Sequence, residues 1–472
     1  MQHFLRYARE PMTRLKSYCL LAAFALCACS RVAPTGTAIE NVTVIDAING
    51  VRAAQTVVFD GDKILYVGSV ADAPDAAKTI DASGQYLIPG LWDMHVHLTF
   101  DERLADVMPG SFLRYGVTSV RDTGGLLANL LPMAEHMRSP EVLAPRVFFS
   151  GPLLDGEFVV YDGESAPEIG TQNTSAEQAR ENVNALKDAG ASFIKIYEMV
   201  SPEVFDALVT AAVENDLPIA AHVPLALTAS GAGPSVGSME HLRNIELDCA
   251  SNWEELHSTR QTLLENGDAM SGRALRAALH QLQRLPAIAA LDEKRCADVL
   301  AALRNTIQVP TAALNTTPLY PIFERDDWQE ALASMPEAIR EEWAQPPAWL
   351  PADKANWDLR FARYSMRMID MANEAGIPIG AGTDTPLARL IPGYSLLHEL
   401  EILVRAGLTP MQAIEAATVQ PAAFLSLLDE MGSIDPGKRA DLVLLSADPL
   451  DDIGNIRKIE LVVAQGREVP RP

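Results

Sequence analysis

Gly90-Leu91-Trp92-Asp93-Met94-His95-Val96-His97 is an apolar run that closes on two alternating histidines. In an extended strand residues i and i+2 point the same way, so His95 and His97 present two imidazoles to one point. Such a pair is half of a metal site. A strand with two polar histidines on its outer face has the same spacing, so the pair acquires meaning only from partners downstream.

The chain around it is ordinary globular stock: 472 residues, 48% hydrophobic and 21% charged, long enough for one large catalytic domain and a smaller one. Its formal charge of -24, from 62 acidic against 38 basic residues, speaks against nucleic-acid binding, which needs a basic face to displace counterions. Arg6, Arg9, Arg14 and Lys16 precede the apolar run Cys19 to Leu26, which is too short to cross a bilayer and has the form of a signal-peptide core. Leu26-Cys27-Ala28-Cys29 resembles a lipobox, which would make residues 1–29 the leader and Cys29 the lipidated residue. Plain cleavage and release is the alternative, and Met12 is a second candidate start. Both alternatives lead to export, either to the periplasm or to an outer-membrane-anchored lipoprotein that touches the membrane only through its lipid. Cys249 and Cys296 then remain, and an oxidising compartment permits a disulfide between them or two buried thiols.

Alternating apolar residues at Ile39 to Asp46, a Gly-Asp turn inside Val57 to Gly68, and strand-like runs at Ala440 to Leu445 and Ile459 to Gly466 place β segments at both ends. Residues 36–88 and 431–472 are expected to form a small β-sandwich domain. Between them β-rich runs recur at Tyr86 to Trp92, Val117 to Val120, Val147 to Ser150, Phe193 to Tyr197, Ile219 to Val223, Met239 to Leu242, Val309 to Leu314 and Ile377 to Gly382. Helical patterns such as Ala176 to Ala189 and Pro202 to Asn215 fill the gaps. Eight strand–helix alternations point to an α/β fold, a (β/α)8 TIM barrel over 89–430, with a doubly wound open sheet as rival. Stretches of about 243–308 and 315–375 are too long for single crossovers; loops after barrel strands ring the active-site face, so these insertions read as a lid, a substrate wall or padding.

On that reading the strand ends share one mouth. The first strand brings His95 and His97, the fourth Lys195, the fifth His222, the sixth His241 and the eighth Asp384. Each has a structural explanation alone: a core histidine, a snorkelling lysine, a capping aspartate. Together they are imidazoles and a carboxylate suited to zinc or a similar divalent ion, which lowers the pKa of water toward ~7. A buried Lys195 amine has a depressed pKa and can add carbon dioxide, giving a carboxylate surrogate.

These motifs, with Pro89-Gly90, Phe193-Ile194-Lys195-Ile196-Tyr197, Glu240-His241, Gly382-Thr383-Asp384-Thr385, Ala406-Gly407-Leu408-Thr409-Pro410 and Gly432 to Leu442, resemble the amidohydrolase superfamily, in its prolidase-like and imidazolonepropionase-related branch. The resemblance runs from about Ile39 to Val469. It implies two divalent metal ions, zinc first: His95, His97 and Asp384 on one, His222 and His241 on the other, and a carboxylated Lys195 between them. Asp384 would be the catalytic base, and the reaction hydrolysis of a carbon–nitrogen bond, of dipeptide or N-acyl amino acid type, by metal-activated hydroxide. A cyclic amide or lactone hydrolase is the alternative, and a non-catalytic binding barrel the outsider. The expected partner is a small-molecule substrate, and a homo-oligomer is compatible.

One departure stands out. Relatives of dipeptidase type carry Gly-Gly-His-Gly after the third strand, whereas Gly151 to Gly156 here holds no histidine. Tyr197 is a candidate substrate contact or a rim-packing residue, and Arg121 and Asp122 are open. His398 reads as supporting or surface, and His136, His257 and His280 as solvent-facing.

Overall fold

The folded chain, a computed structural model, is described for residues 34–470 apart from 165, 268, 269, 346 and 348. The leader and lipobox expected over 1–29 lie outside the described residues. Thr35–Pro472 forms one compact unit.

Both ends of the chain meet in a single sheet of eight strands. Its path runs Arg467–Glu468, Ile459–Ala464, Leu442–Leu445, Tyr86–Pro89, Thr37–Asp46, Gly50–Asp60 and Lys63–Gly68, with Lys78–Asp81 also pairing with Thr37–Asp46. The sequence expectation of a sandwich is therefore met at the level of its strands and not of its layers. The ladder joins N- and C-terminal segments through Leu442–Leu445, antiparallel to Tyr86–Pro89. Alternation explains the assembly: Ile39, Phe59, Ile64, Leu87, Leu442 and Leu444 fall on one buried side and pack together.

Tyr86–Pro89 thus belongs to this sheet, not to the barrel series where the apolar run placed it. The chain crosses at Gly90, and the first parallel strand is Leu91–Val96, every residue of it buried. It pairs with Val117–Asp122, which pairs with Arg146–Phe149. A second parallel sheet orders Gly170–Gln172, Leu153–Asp155, Ile194–Ile196, Ile219–Ala221, Ser238–Glu240 and Ile307–Val309. Ser192 N–H donates to Phe149 O (2.8 Å) between the two sheets. Near-continuous burial along these strands is what a parallel sheet covered on both faces demands.

Two expected strands are shorter than their apolar runs. The seventh is Ile307–Val309, which shares only Val309 with the expected run Val309 to Leu314; the rest of that run turns into helix Ala312–Asn315. The eighth, Ile377 to Asp384, joins its neighbours through the parallel bridges Gln308↔Ile379 and Val96↔Thr385 and through backbone hydrogen bonds, among them Met94 N–H to Ala381 O (2.9 Å) and Gly380 N–H to Gln308 O (2.8 Å). Close approach explains its glycines: a Cβ on Gly382 would stand 2.9 Å from His95 Cβ and 2.7 Å from Val309 Cγ1. Helices Ala176–Asp188 and Pro202–Glu214 form where read, each opened by a serine cap, Ser175 and Ser201. The insertions are helical, Gly272–Ala289 being the longest helix. Cys249 and Cys296 are joined as a disulfide.

Candidate metal centre

Strand ends bring all six expected residues to one cavity of about 1010 Å³, where Tyr197 also lines the wall. The tightest group is His95, His241 and Asp384, whose nitrogen and oxygen atoms lie within 4.8 Å of one another. His97 Nε2 stands 3.1 Å from Asp384 Oδ1 and His95 Nε2 3.3 Å from it. The His222 and His241 ring centroids are 4.6 Å apart. Backbone geometry sharpens the aim: His241 (φ 67°) and Asp384 (φ 70°) are both left-handed, a conformation that non-glycine residues hold only when the surroundings impose it. Asn315 Nδ2 donating to His241 O (2.9 Å) and Asp384 N–H donating to His95 O (2.7 Å) impose it here.

Each imidazole has one nitrogen committed. His95 Nδ1 donates to Glu240 Oε2 (2.6 Å), His97 Nδ1 to Gly124 O (2.9 Å) and His222 Nδ1 to Glu198 Oε1 (2.7 Å), while His241 Nδ1 meets Thr311 Oγ1 at 2.7 Å. Carboxylates and carbonyls only accept, so in the first three rings the proton sits on Nδ1 and Nε2 is left with its lone pair. Two of those lone pairs face the Asp384 carboxylate, an arrangement of acceptors that suits a cation between them. A histidine ligand whose other nitrogen is anchored by a carboxylate or carbonyl is the usual form of a metal site. The donor set fits zinc or a similar divalent ion.

Charges in the site point the same way. Burial lowers His222 to about 3, with the Lys195 charge adding to it, so the ring is neutral at pH 7. Burial also holds His241 well below the ordinary histidine range. Asp384 is buried, which acts to raise its pKa, but the imidazoles of His95, His97 and His241 around it outweigh this and hold it well below the ordinary carboxylate range. Lys195 is fully buried; desolvation lowers it to about 8 against the opposing pull of Glu240, 3.9 Å away. Its Nζ has no hydrogen-bond partner among the described residues, so the amine is placed where a further group could attach.

The residues the sequence reading left without a role hold this arrangement in place. Arg121 donates to Glu240 Oε1 (2.7 Å), to Ser238 Oγ (3.0 Å) and to Met94 O (2.5 Å), fixing the carboxylate that anchors His95. Asp122 accepts the backbone N–H of Leu98 and Gly124. Glu198 was missed; a glutamate directly after the Lys-Ile-Tyr strand was its only signal. His280, read as solvent-facing, instead reaches Glu198 Oε2 at 2.6 Å, because the inserted helix packs its polar face toward the cavity. His136 is exposed and His257 half-buried, whereas His398 is buried beside Glu401. Tyr197 is buried with its ring 4.4 Å from that of His222.

The sequence profile of the amidohydrolase family matches residues 86–247 and 341–469. An ochratoxinase from Aspergillus niger is 24% identical over 83% of this chain and 77% of its own length. An imidazolonepropionase from Staphylococcus aureus (strain Newman) is 48% identical over 56 residues, 12% of this chain and 13% of that one. Among solved structures, a Xaa-Pro dipeptidase with bound methionine superposes with a TM-score of 0.65 at 20% identity, over 92% of this chain and 99% of that one, a likeness of fold. With the profile spanning more than half of the sequence, the chain belongs to the amidohydrolase family, of TIM-barrel type, and is a hydrolase acting on carbon–nitrogen bonds.

Proposed function

We propose that the chain is an exported hydrolase that cleaves an amide bond of dipeptide or N-acyl amino acid type with two divalent ions, zinc first. The observation that carries this is the set of histidines anchored at Nδ1, with Nε2 of His95 and His97 turned toward Asp384. His95, His97 and Asp384 would hold one ion and His222 and His241 the other. Lys195, adding carbon dioxide at Nζ with release of a proton, would supply the carboxylate between them. When bound, such ions make water nucleophilic near neutral pH and polarise the scissile carbonyl. Asp384, ionised and beside the histidines, accepts a proton from the attacking water and passes it to the departing amine as the carbon–nitrogen bond breaks. Tyr197 flanks His222 and would border the substrate.

The same proposal takes the three- and six-stranded parallel sheets, with Ile377 to Asp384, as one closed barrel over 89–430. Residues 36–88 and 431–472 then form the companion β domain, and 1–29 the leader with Cys29 as lipid anchor. The test is elemental analysis of purified protein with a screen of dipeptides and N-acyl amino acids. About two divalent ions per chain and activity that is lost on chelation and restored by zinc are expected. Full turnover by metal-free protein would overturn the proposal.

A further inference from the structure

The insertion that follows His241 brings a surplus of positive charge to the cavity. Arg276 and Arg284 project from Gly272–Ala289, Arg243 lies two residues after His241, and all three line the cavity wall. Arg260, 2% exposed, lies behind them in helix Trp253–Glu265. The carboxylates in this cluster are Glu198 and Glu246. Glu198 is saturated, accepting from His222 Nδ1 (2.7 Å), His280 Nε2 (2.6 Å) and Arg276 (2.8 and 3.0 Å). Glu246, itself buried, stands 3.5 Å from Arg284 Nε and lies within the field of Arg260 and Arg243 as well. Four guanidinium groups thus share two carboxylates. Acids elsewhere on the cavity lining are engaged with other partners: Asp101 and Glu342 pair with Arg103, Asp358 with Arg360, and Asp384 faces His95 and His97.

Hydrogen bonding shows the same surplus. Arg243 Nε, Arg260 Nη1 and Arg284 Nε are buried without a hydrogen-bond partner among the described residues, three donors against one acceptor, Glu246 Oε2, in the same state. Arg243 keeps only a 3.5 Å contact from Nη2 to Asn315 Oδ1. Arg284 donates to His280 Nδ1 (2.9 Å) and lies over the Phe361 ring at 4.4 Å. Buried guanidinium groups are normally paired, since an unmatched one forfeits its hydration. In a protein of net charge -24, a half-buried cationic wall with open donors inside a cavity is suited to an anion from outside. The family profile stops at residue 247 and resumes at 341, so Arg260, Arg276 and Arg284 lie on a segment it does not cover.

We infer that Arg243 and Arg284, with Arg276 held beside them by Glu198, form a subsite for a carboxylate carried by the substrate. The planar guanidinium fork matches a carboxylate's two oxygens, and Phe361 offers an apolar flank to the group that bears it. This rests on the hydrolase reading above and adds which wall of the cavity receives the free carboxylate of such a substrate.

The probes are 3-phenylpropanoate and its neutral isostere 3-phenylpropanamide, titrated by calorimetry into zinc-loaded full-length protein. The acid is expected to bind at least about tenfold more tightly than the amide. Arg243→Gln and Arg284→Gln should each remove about tenfold or more of that preference, as loss of a charge-assisted hydrogen bond does, and leave the amide unchanged. A carboxylate held by metal alone would bind both variants as it binds wild type, which would overturn the inference, as would equal binding of acid and amide by wild type. If one glutamine variant does not fold, the other decides, since each arginine is expected to contribute separately to the preference. Hydrolysis of neutral amides in preference to acids sinks the subsite and keeps the hydrolase. Acid binding that depends on the arginines, with no hydrolysis anywhere in the substrate screen, does the reverse.

Discussion

Two clusters of charge sit at opposite ends of the parallel strands, and only one has capacity left over. Where the eight-stranded sheet meets the strand beginnings, Arg146 bonds Asp441 (2.8 Å) and Asp62, and Arg439 bonds Asp62 (2.7 Å) and Glu430 (2.5 Å). Asp441 Oδ1 further accepts Gln465 N–H. Every charge there is matched, which makes the cluster a fastening. At the strand ends the four imidazoles each commit one nitrogen, Lys195 Nζ commits nothing, and acceptors face acceptors around Asp384. Both places are rich in charge, although Arg439, Asp62 and Glu430 are partly exposed where the strand-end residues are buried. Unsatisfied hydrogen-bonding and ligand capacity separates them, and that is the physical mark of a site that acts on something else.

Substitutions at the two ends should therefore fail in different ways. The largest effect is expected for Asp384→Asn, which keeps the shape and removes the charge and the base: kcat/KM should fall about 10²–10⁴-fold with the thermal midpoint nearly unchanged. Retained activity would place the base elsewhere. Lys195→Ala comes next, with comparable loss; short carboxylic acids such as acetate or propionate added to the assay should restore part of the rate, since they can supply the missing carboxylate. No rescue at any acid concentration would speak against a carboxylated lysine. Smaller again, Glu240→Gln keeps the bond to Arg121 but loosens the anchoring of His95. Metal affinity, measured by competition with a chelator, should drop about 10–100-fold. At the fastening end, Arg146→Met should cost about 1–3 kcal/mol of stability by leaving the buried Asp441 short of a partner, while kcat per folded molecule stays at the wild-type value. If kcat fell there as it does at the mouth, the contrast between the two ends would collapse.

His95, His97, Lys195, His222, His241 and Asp384 were all legible in the sequence because strand periodicity and repeated strand–helix alternation put them at equivalent places. The helices at Ala176–Asp188 and Pro202–Glu214 were legible for a similar reason, each having a cap and an apolar stripe. Strand limits were less so. A fully buried parallel strand has no alternation to mark its ends, so Tyr86–Pro89 and Leu91–Val96 run together in the sequence although they belong to different sheets.

Local patterning, then, was enough for the family resemblance and for the six residues that share the cavity, since each depends on residue type and spacing along one element. Tertiary contact alone decided the rest. That Glu198 and Glu240 orient histidines 24 and 145 residues away, that His280 turns inward, and that Arg243, Arg260, Arg276 and Arg284 gather around two carboxylates are facts of packing between distant segments. Hydrogen bonds and charge balance are settled by proximity in space, and a sequence records proximity only along the chain.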